Sequence, residues 1–373
     1  AYGNPSSTAI QDNNPYRLEA SVINIKDKAS EICLSFDKSL DGVTIDHIYI
    51  KNSFRINQYR FLFFASIVFI LLCFFVYREL FTKKVENMFL VSALVAGTLM
   101  VIVLPYNKVG FDEEAHFRSA YKMMLWSHVS SADAIEELTE VTMANWPFNL
   151  DQSIEERDML EEYFVVHGDY TKGSNVTYDV PTKISSVAAP SYVFMAVGIK
   201  FAKLLHLPFG MVYMMGRLFN MWMYVILIYF AIKKVPVGKR IMAVVALMPT
   251  AMFQAAVYSY DSVVTGFIYL GLAYLLAEIL DKEKKLTIKN GIIILGALSF
   301  GCLPKAVYVP LVALGFMIAK DKFKNNKERI IFRIANIVCI FGLLFTFVLP
   351  MLVATDAMGD TRGGAVSVSG QIS

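Results

Sequence analysis

The sequence has few cysteines and no cysteine motif. It contains four cysteines in 373 residues, and no two of them have the Cys-x-x-Cys spacing that is typical of zinc sites and redox centres. Three of the four, Cys73, Cys302 and Cys339, lie within apolar runs. This distribution argues against a disulfide framework and against a structural zinc site.

Charged residues are also scarce for a chain of this length. They make up 18% of the sequence, against 56% for hydrophobic residues, and the mean hydropathy is +0.49. Several apolar runs are near 20 residues long, which is what an α-helix needs to cross the ~30 Å hydrocarbon core of a bilayer. The helices of a soluble domain would instead keep one polar face. The sequence therefore predicts an α-helical polytopic membrane protein.

The net charge of +3 combines two opposite local excesses. Basic residues crowd a few short connectors between apolar runs, whereas acidic residues crowd one long loop. This pattern is typical of a protein oriented in membrane lipid and does not indicate nucleic-acid binding.

The sequence lacks an initiating methionine and a signal peptide, and it ends in a Gly- and Ser-rich stretch, Gly363–Ser373. We therefore expect incomplete N- and C-terminal parts, with further membrane helices downstream. Residues 1–57 alternate between apolar and polar in places, and Asp41-Gly42 lies between two such runs as a hairpin signal. We expect a short extracytoplasmic β segment there, with too few strands for a stable core of its own.

Nine apolar runs follow this segment. They are Phe61–Leu80, Met88–Leu104, Ile184–His206, Phe209–Ile232, Ile241–Val257, Val263–Leu280, Gly291–Leu303, Val307–Ala319 and Ile330–Leu349. The runs of about 13 residues on either side of Pro304-Lys305 reach only roughly 20 Å as helices, so we expect a short helical hairpin over 291–319. With the third run lying in the interface, the pattern predicts about eight membrane segments plus interfacial helices.

The distribution of basic residues predicts the orientation. Connectors rich in lysine and arginine lie near 233–240, 282–289 and 320–333, and the positive-inside rule places them in the cytoplasm. The turn at 258–262 and the hairpin tip at Lys305 then lie outside, together with the acidic loop 105–183. This requires that Ile184–His206 does not cross the membrane.

The outer loop is predicted to contain two juxtamembrane helices. Asp112 and Asp151 are each placed to cap one of them, and the helices run to about Trp126 and Val165.

The predicted organisation of the whole chain has five parts. The parts are an incomplete β-rich segment (1–57), two transmembrane helices (58–104), an outer loop with the acidic motif (105–206), transmembrane helices that include the short hairpin (207–350), and a truncated outer loop (351–373).

Four side chains with acid–base or metal-binding chemistry are predicted to meet at the outer face. Asp112, Glu113 and His116 follow one predicted span, and Asp261 precedes another. On a helix, His116 lies four residues from Asp112 and three from Glu113, which makes them neighbours on one face. A carboxylate beside a histidine could bind a divalent cation such as Mg²⁺ or Mn²⁺, or share a proton. The alternative is that Asp112 and Asp261 only cap helices and that His116 is solvated.

Two cationic residues are candidates for contact with phosphate. Arg217 lies about two turns inside the run Phe209–Ile232, where an arginine is costly unless it is paired or faces water. We expect it to meet a phosphate or one of the carboxylates. Lys305 is a second candidate, with snorkelling to the interface as the alternative. Arg118 and Tyr260, close to the acidic residues, complete the predicted substrate- and phosphate-binding set.

Three motifs carry a family resemblance. They are Phe111-Asp112-Glu113-Glu-Ala-His116-Phe-Arg118, Met248-Pro-Thr followed by Tyr260-Asp261-Ser262, and Leu303-Pro-Lys305 followed by Tyr308-Val-Pro310. In these motifs the chain from about Phe61 onwards resembles the bacterial membrane proteins called domain of unknown function 2142. That family in turn resembles the GT-C glycosyltransferases, which carry a catalytic acidic residue in the first outer loop. The chain departs from the GT-C pattern in one respect, since Phe61–Leu80 is an extra span before that loop.

The resemblance implies a GT-C-like fold and a glycosyltransferase of the bacterial cell membrane whose active face lies outside the cytoplasm. The donor would be a polyprenyl-phosphate-linked sugar and the acceptor an envelope glycan or a lipid-linked saccharide. Asp112 or Glu113 would be the first catalytic acidic residue and Asp261 the second, and with His116 they could hold a cation. The alternatives are a transporter or flippase of lipid-linked saccharides and a non-catalytic scaffold of polysaccharide assembly.

Overall fold

A computed structural model of the chain describes residues 58–104, 110, 112–125, 189–207 and 209–353. These residues are mostly helical and contain no β-strand. The predicted N-terminal β segment, the helix predicted after Asp151 and the end of the chain lie outside the described residues.

The described residues form twelve α-helices, which we number in chain order. They are α1 (Gln58–Val76), α2 (Arg78–Lys83), α3 (Val85–Val103), α4 (Glu113–Leu125), α5 (Val193–Leu204), α6 (Phe209–Lys234), α7 (Lys239–Ala246), α8 (Pro249–Ala256), α9 (Asp261–Leu280), α10 (Ile288–Cys302), α11 (Pro310–Ala313) and α12 (Asn326–Val353). Short 3₁₀ helices occur at Ala189–Tyr192, Ala306–Tyr308, Leu314–Met317 and Lys320–Lys322.

Four of the described helices are long and apolar enough to cross a membrane, namely α3, α6, α9 and α12. Three shorter apolar segments, Phe61–Val76, Ile288–Cys302 and Ala306–Met317, have between 10 and 17 residues. The prediction of a helical membrane protein is therefore confirmed. The predicted count of about eight membrane segments is not confirmed.

The run Ile241–Val257, which the sequence predicts as one membrane segment, is not one continuous helix. This stretch forms two eight-residue helices, α7 and α8, with a break at Leu247 and Met248. Pro249 explains the break, because proline lacks an N–H donor and disfavours the helical conformation in the residue before it. Met248 accordingly takes φ −57° and ψ 139°, outside the helical region.

The two arms of the predicted short hairpin are both short helical segments. Gly291–Leu303 lies largely within α10, and Ala306–Met317 is a short apolar helix built from two 3₁₀ helices and the four-residue helix α11. In the run Ile184–His206, the helix α5 has 12 residues and a length of about 18 Å. That length is below the ~30 Å of a bilayer core and is compatible with a segment that does not cross it.

Helix α6 lies at the centre of the bundle and packs against α3, α5 and α9. Helix α9 also packs closely against α10, where small residues reduce the distance between the two backbones. A Cβ atom at Gly271 would lie 2.6 Å from Leu298 Cγ, and one at Gly301 would lie 2.9 Å from Ile268 Cγ1. The close approach at Gly301 brings the end of α10, and Lys305 after it, beside the start of α9.

The other end of α9 holds a buried polar cluster. Lys322 Nζ lies 3.2 Å from Glu278 Oε2, and the two side chains are 3% and 7% exposed. Lys322 Nζ also donates to the carbonyls of Asp281 and Lys284 at 2.6 and 2.5 Å, and Asn290 donates to Glu278 Oε1 at 2.6 Å. These bonds satisfy both buried charges and fasten the α9–α10 loop to the segment before α12.

Replacing Lys322 with methionine is expected to lower the thermal unfolding midpoint in detergent. Glu278 would keep a buried charge without its cationic partner, a change that typically costs about 3–5 kcal/mol. The matched control is Lys284→Met, because that side chain is 84% exposed and its Nζ lies 4.0 Å from Asp281. The control should change the midpoint little. Equal midpoints for both variants would contradict the structural role of Lys322.

Candidate functional site

The start of α4, the start of α9 and the loop after α10 meet at one end of the bundle. The Nδ1 atom of His116 lies 2.8 Å from the hydroxyl oxygen of Tyr192, and the rings of His116 and Tyr260 are 4.9 Å apart. Next to Tyr260, the Oδ1 atom of Asp261 lies 2.5 Å from Nζ of Lys305. Residues separated by up to 189 positions in the chain therefore form one cluster.

Lys305 makes a second contact in this cluster. Its ammonium group lies 5.5 Å from the centre of the Tyr260 ring, within the range of a cation–π interaction. Tyr260 therefore lies between a histidine on one side and a lysine on the other, while Asp261 pairs with the lysine. His116, Tyr260, Asp261 and Lys305 are all partly exposed. We call these four residues, together with Asp112 and Tyr192, the mouth cluster.

Glu113 lies below the mouth cluster and is completely buried. Its Oε1 atom accepts from Arg217 Nε at 2.8 Å and from the backbone N–H of Tyr258 at 2.9 Å. Its Oε2 atom accepts from the backbone N–H of Gly110 at 2.8 Å. One carboxylate thus joins the segment before α4, helix α6 and the loop between α8 and α9.

The backbone turn before α4 has an unusual conformation at Asp112. Asp112 takes φ +54°, the left-handed region that non-glycine residues seldom adopt but that aspartate tolerates comparatively well. Its carbonyl accepts from the N–H of His116 at 3.1 Å, as the residue before a helix does. Asp112 therefore holds the predicted position at the helix start, but not the extended conformation usual for an N-cap.

Aromatic rings enclose the buried ion pair. The guanidinium carbon of Arg217 lies 4.7 Å from the centre of the Tyr213 ring. Phe117 contacts the rings of Tyr213 and Tyr258 at centroid distances of 4.8 and 4.9 Å, and the Tyr258 hydroxyl donates to the Tyr213 carbonyl at 2.7 Å. Because this surrounding excludes water, the Glu113–Arg217 attraction is screened little and the pair is costly to break.

The side-chain amide of Asn220 binds the loop that precedes Asp261. The side-chain nitrogen of Asn220 donates to the carbonyls of Ala255, Val257 and Ser259 at 3.3, 3.0 and 3.3 Å. Its oxygen accepts from the hydroxyl of Ser262 at 2.8 Å. Sequence reasoning missed this residue, although a buried asparagine within an apolar helix is a signal of its own, since polar groups there need partners.

Most of the predicted site residues come together, but in two different environments. His116, Tyr260, Asp261 and Lys305 lie in the mouth cluster, and the charge of Asp112 also acts on His116. Glu113 and Arg217 bind each other in the interior, which is one of the two contacts predicted for Arg217. The side chain of Arg118 lies outside what the structure describes. Sequence reasoning also missed Tyr192, whose contact with His116 depends on a turn 76 residues away.

The predicted cation site gains no support from the geometry. Among the described residues, no group of three or more histidine, cysteine, aspartate and glutamate side chains is arranged to hold a metal ion. Because protein N–H groups already bind both oxygens of Glu113, this carboxylate is a poor ligand for a cation. Binding of Mg²⁺ or Mn²⁺ by Asp112, His116 and Asp261 stays a prediction.

The environment shifts the protonation of the mouth cluster. Burial lowers the pKa of His116 below its ordinary 6.5, and the nearby carboxylates of Asp261, Asp112 and Glu113 only partly oppose this effect. Burial raises the pKa of Tyr192, which therefore keeps its proton. For Lys305, burial acts to lower the pKa, but the hydrogen bond and charge of Asp261 outweigh it and raise the pKa. At neutral pH the cluster holds a neutral imidazole and a charged ammonium group.

Comparison with known proteins places this architecture in a family. A family model described as "Predicted membrane protein (DUF2142)" matches residues 94–372, which include every residue of the mouth cluster. Comparisons with curated proteins and with solved structures give no match.

Replacing Gly216 with alanine is expected to destabilise the site. A Cβ atom there would lie 1.9 Å from the Tyr258 hydroxyl, so Tyr258 would have to leave the ring packing around Arg217. Gly296→Ala is the matched control, because it also adds one methyl group to an apolar helix, but with no atom within 4 Å. Thermal unfolding in detergent should show a drop of several degrees for the first variant, since overpacking typically costs about 1–3 kcal/mol. A similar midpoint for the two variants would contradict the packing described.

Acidification is expected to destabilise the protein through His116. Because the pKa of His116 is lower in the folded than in the unfolded state, the unfolded state binds more protons as the pH falls through about 6.5. The stabilisation from a neutral His116 is therefore present above that pH and is lost below it. Unfolding midpoints measured between pH 7.5 and 5.5 should fall less steeply for His116→Gln than for the wild type. An unchanged slope would show that other groups cause the pH dependence.

Proposed function

The chain belongs to the DUF2142 family of predicted membrane proteins, and we propose that it is a membrane glycosyltransferase of the GT-C type. In this proposal it transfers a sugar from a polyprenyl-phosphate donor to an envelope glycan or a lipid-linked saccharide, at the extracytoplasmic face of a bacterial cell membrane. The observation that supports it best is the contact between an acidic residue and a lysine at the open end of a helical bundle. A carboxylate that accepts a proton and an ammonium group that binds phosphate are the two groups that such a transfer needs.

Asp261 is the proposed general base. Its carboxylate is partly exposed, at 27% of the side chain, and lies at the first turn of α9. Asp112 is the second candidate, because it is also partly exposed and its charge reaches His116. Glu113 is no longer a candidate base in this proposal, because three protein N–H groups already bind its buried carboxylate.

Lys305 is the proposed phosphate contact. Its side chain is 34% exposed and lies between Tyr260 and Asp261. Arg217 is not proposed as a phosphate contact, because its side chain is 1% exposed and paired with Glu113. The buried pair instead supports the mouth cluster by fixing the start of α4 and the loop before α9. Tyr260 and His116 are placed to contact the sugar or the acceptor.

The proposed reaction is a single displacement at the anomeric carbon. The bond between that carbon and the phosphate oxygen breaks, and a bond from the acceptor hydroxyl oxygen forms on the opposite side of the sugar ring. The acceptor proton moves to Asp261, and the lipid phosphate leaves with one more negative charge than it had in the donor. Lys305 stabilises that charge as it develops, which is the condition for lowering the barrier.

A transporter of lipid-linked saccharides is the second candidate function. The break between α7 and α8 and the short helices Ile288–Cys302 and Ala306–Met317 favour it, because transporter sites are often built from discontinuous helices. Transporter sites also tend to lie near the middle of the membrane. The mouth cluster instead lies at helix ends, which favours chemistry at the membrane boundary.

The transferase assay uses purified protein in vesicles with a polyprenyl-phosphate sugar and an extracted acceptor fraction. Asp261→Asn is expected to lower the rate by about 10²–10⁴-fold, the usual contribution of a general base. Lys305→Met is expected to lower it by about 10²–10³-fold through loss of charge stabilisation. Adding EDTA to the same assay tests the predicted dependence on Mg²⁺ or Mn²⁺.

Asp281→Asn is the matched control, because it makes the same change at the opposite end of α9 and should transfer at the wild-type rate. Full transfer by Asp261→Asn and Asp112→Asn would refute the site assignment. Movement of the lipid-linked sugar across the vesicle membrane without formation of a glycosidic bond would favour the transporter.

A further inference from the structure

The described ion pairs at this protein's helix ends differ in exposure. The pairs made by Glu113 and by Glu278 have side chains at most 7% exposed, and additional hydrogen bonds hold each carboxylate. In the pair between Asp261 and Lys305, the side chains are 27% and 34% exposed. Ion pairs with this access to water contribute little to stability, because solvent replaces the partner easily. Of these three pairs, the one between Asp261 and Lys305 exchanges most easily with solvent or a ligand, and we call it the exchangeable pair.

The exchangeable pair also blocks the chemistry proposed for its two members. The Lys305 ammonium group lies 2.5 Å from Oδ1 of Asp261 and so occupies the carboxylate oxygen that would have to face an acceptor hydroxyl. An ammonium group already bound to a carboxylate offers less charge to a phosphate. Neither Asp261 nor Lys305 can act in the proposed transfer until the two are separated.

We propose that a lipid-linked phosphate separates this pair by taking the place of the Asp261 carboxylate on Lys305. The phosphate of the donor binds Lys305, and the released Asp261 then becomes available as a base for the acceptor. The choice of a lipid-linked phosphate and the release of a base rest on the proposed transferase function, whereas the replacement of the carboxylate on Lys305 by another anion does not. Donor binding therefore precedes activation of the acceptor. Before the donor binds, Asp261 stays paired with Lys305.

Charge explains why phosphate can replace the carboxylate. A phosphodiester carries one negative charge, as a carboxylate does, while a phosphate monoester approaches two at neutral pH. The lipid phosphate therefore binds Lys305 more strongly as the sugar leaves. The free lipid phosphate is consequently the best competitor of Asp261 and should inhibit the protein as a product.

Tyr260 keeps Lys305 in place during the exchange. The contact between the Lys305 ammonium group and the Tyr260 ring does not involve the carboxylate of Asp261. The backbone on either side of Lys305 is also fixed, since its N–H donates to Cys302 and its carbonyl accepts from Tyr308, at 3.1 and 3.2 Å. Only the Asp261 side chain has to move, which requires a rotation at the first turn of α9.

The test measures binding of farnesyl phosphate to the purified protein in nanodiscs, with farnesol and inorganic phosphate as separate ligands. Asp261→Asn is expected to bind farnesyl phosphate about twofold to fivefold more tightly than the wild type, because the competing carboxylate is gone. Lys305→Met should bind it at least about tenfold more weakly, while Lys305→Arg should retain binding. The double variant Asp261→Asn/Lys305→Met should match Lys305→Met.

Lys289→Met is the control for charge alone, because it removes an exposed lysine at the opposite end of α10. It should bind as the wild type does. Asp261→Ser and Lys305→Gln repeat the two key measurements if either first variant fails to fold. Weak binding of inorganic phosphate together with tight binding of farnesyl phosphate identifies the lipid-linked form as the ligand. Equal binding of both identifies a site for free phosphate and overturns the lipid specificity.

Unchanged or weaker binding by the Asp261 variants would overturn the exchange, and so would wild-type binding by the Lys305 variants. These outcomes are separate from the fate of the transferase. Tighter binding by Asp261→Asn in a protein that transfers no sugar would keep the exchange and reject the enzyme. Sugar transfer without any change in binding would keep the enzyme and reject the exchange.

Discussion

The buried pair between Glu113 and Arg217 is the interaction on which the site depends. Neither charge could remain in the interior alone, because transferring an unpaired ion out of water costs several kcal/mol. The pair is stable because the carboxylate accepts three N–H bonds and the guanidinium packs against Tyr213. These bonds come from separate parts of the chain. Once the pair forms, α4, α6 and the loop before α9 have little freedom to move relative to one another.

This constraint divides the charged residues into two groups. The buried charges of Glu113 and Glu278 have several partners and fix the framework, whereas Asp261 and Lys305 in the mouth cluster are partly exposed. Asp112 and Glu113 show the difference most clearly, because they are adjacent in the chain but point into different surroundings. Asp112 takes the left-handed conformation immediately before α4, whereas Glu113 is the first residue of that helix.

Sequence reasoning predicted which residues would meet, but not which of them would be buried. The pattern of basic connectors and apolar runs brought Asp112, His116, Asp261 and Lys305 to one face, and the structure joins these neighbourhoods in one cluster. The sequence could not show that Glu113 rather than Asp112 is buried, because two adjacent acidic residues at a helix start give the same signal. It also missed the break at Met248 and Pro249, because hydropathy over Ile241–Val257 is continuous. Tyr213 and Tyr258 gave no signal, because aromatic residues in apolar runs look like ordinary packing.

Asn220 has a consequence for how the site responds to its surroundings. It holds the carbonyls of the α8–α9 loop with an amide, a group that neither gains nor loses a proton across the physiological pH range. Dissolved salt weakens interactions between exposed charges and affects a buried neutral hydrogen bond far less. Ionic strength should therefore change the contact between Asp261 and Lys305 while the backbone beneath it keeps its shape. The position of the α8–α9 loop and the contact between Asp261 and Lys305 are thus controlled by different physical variables.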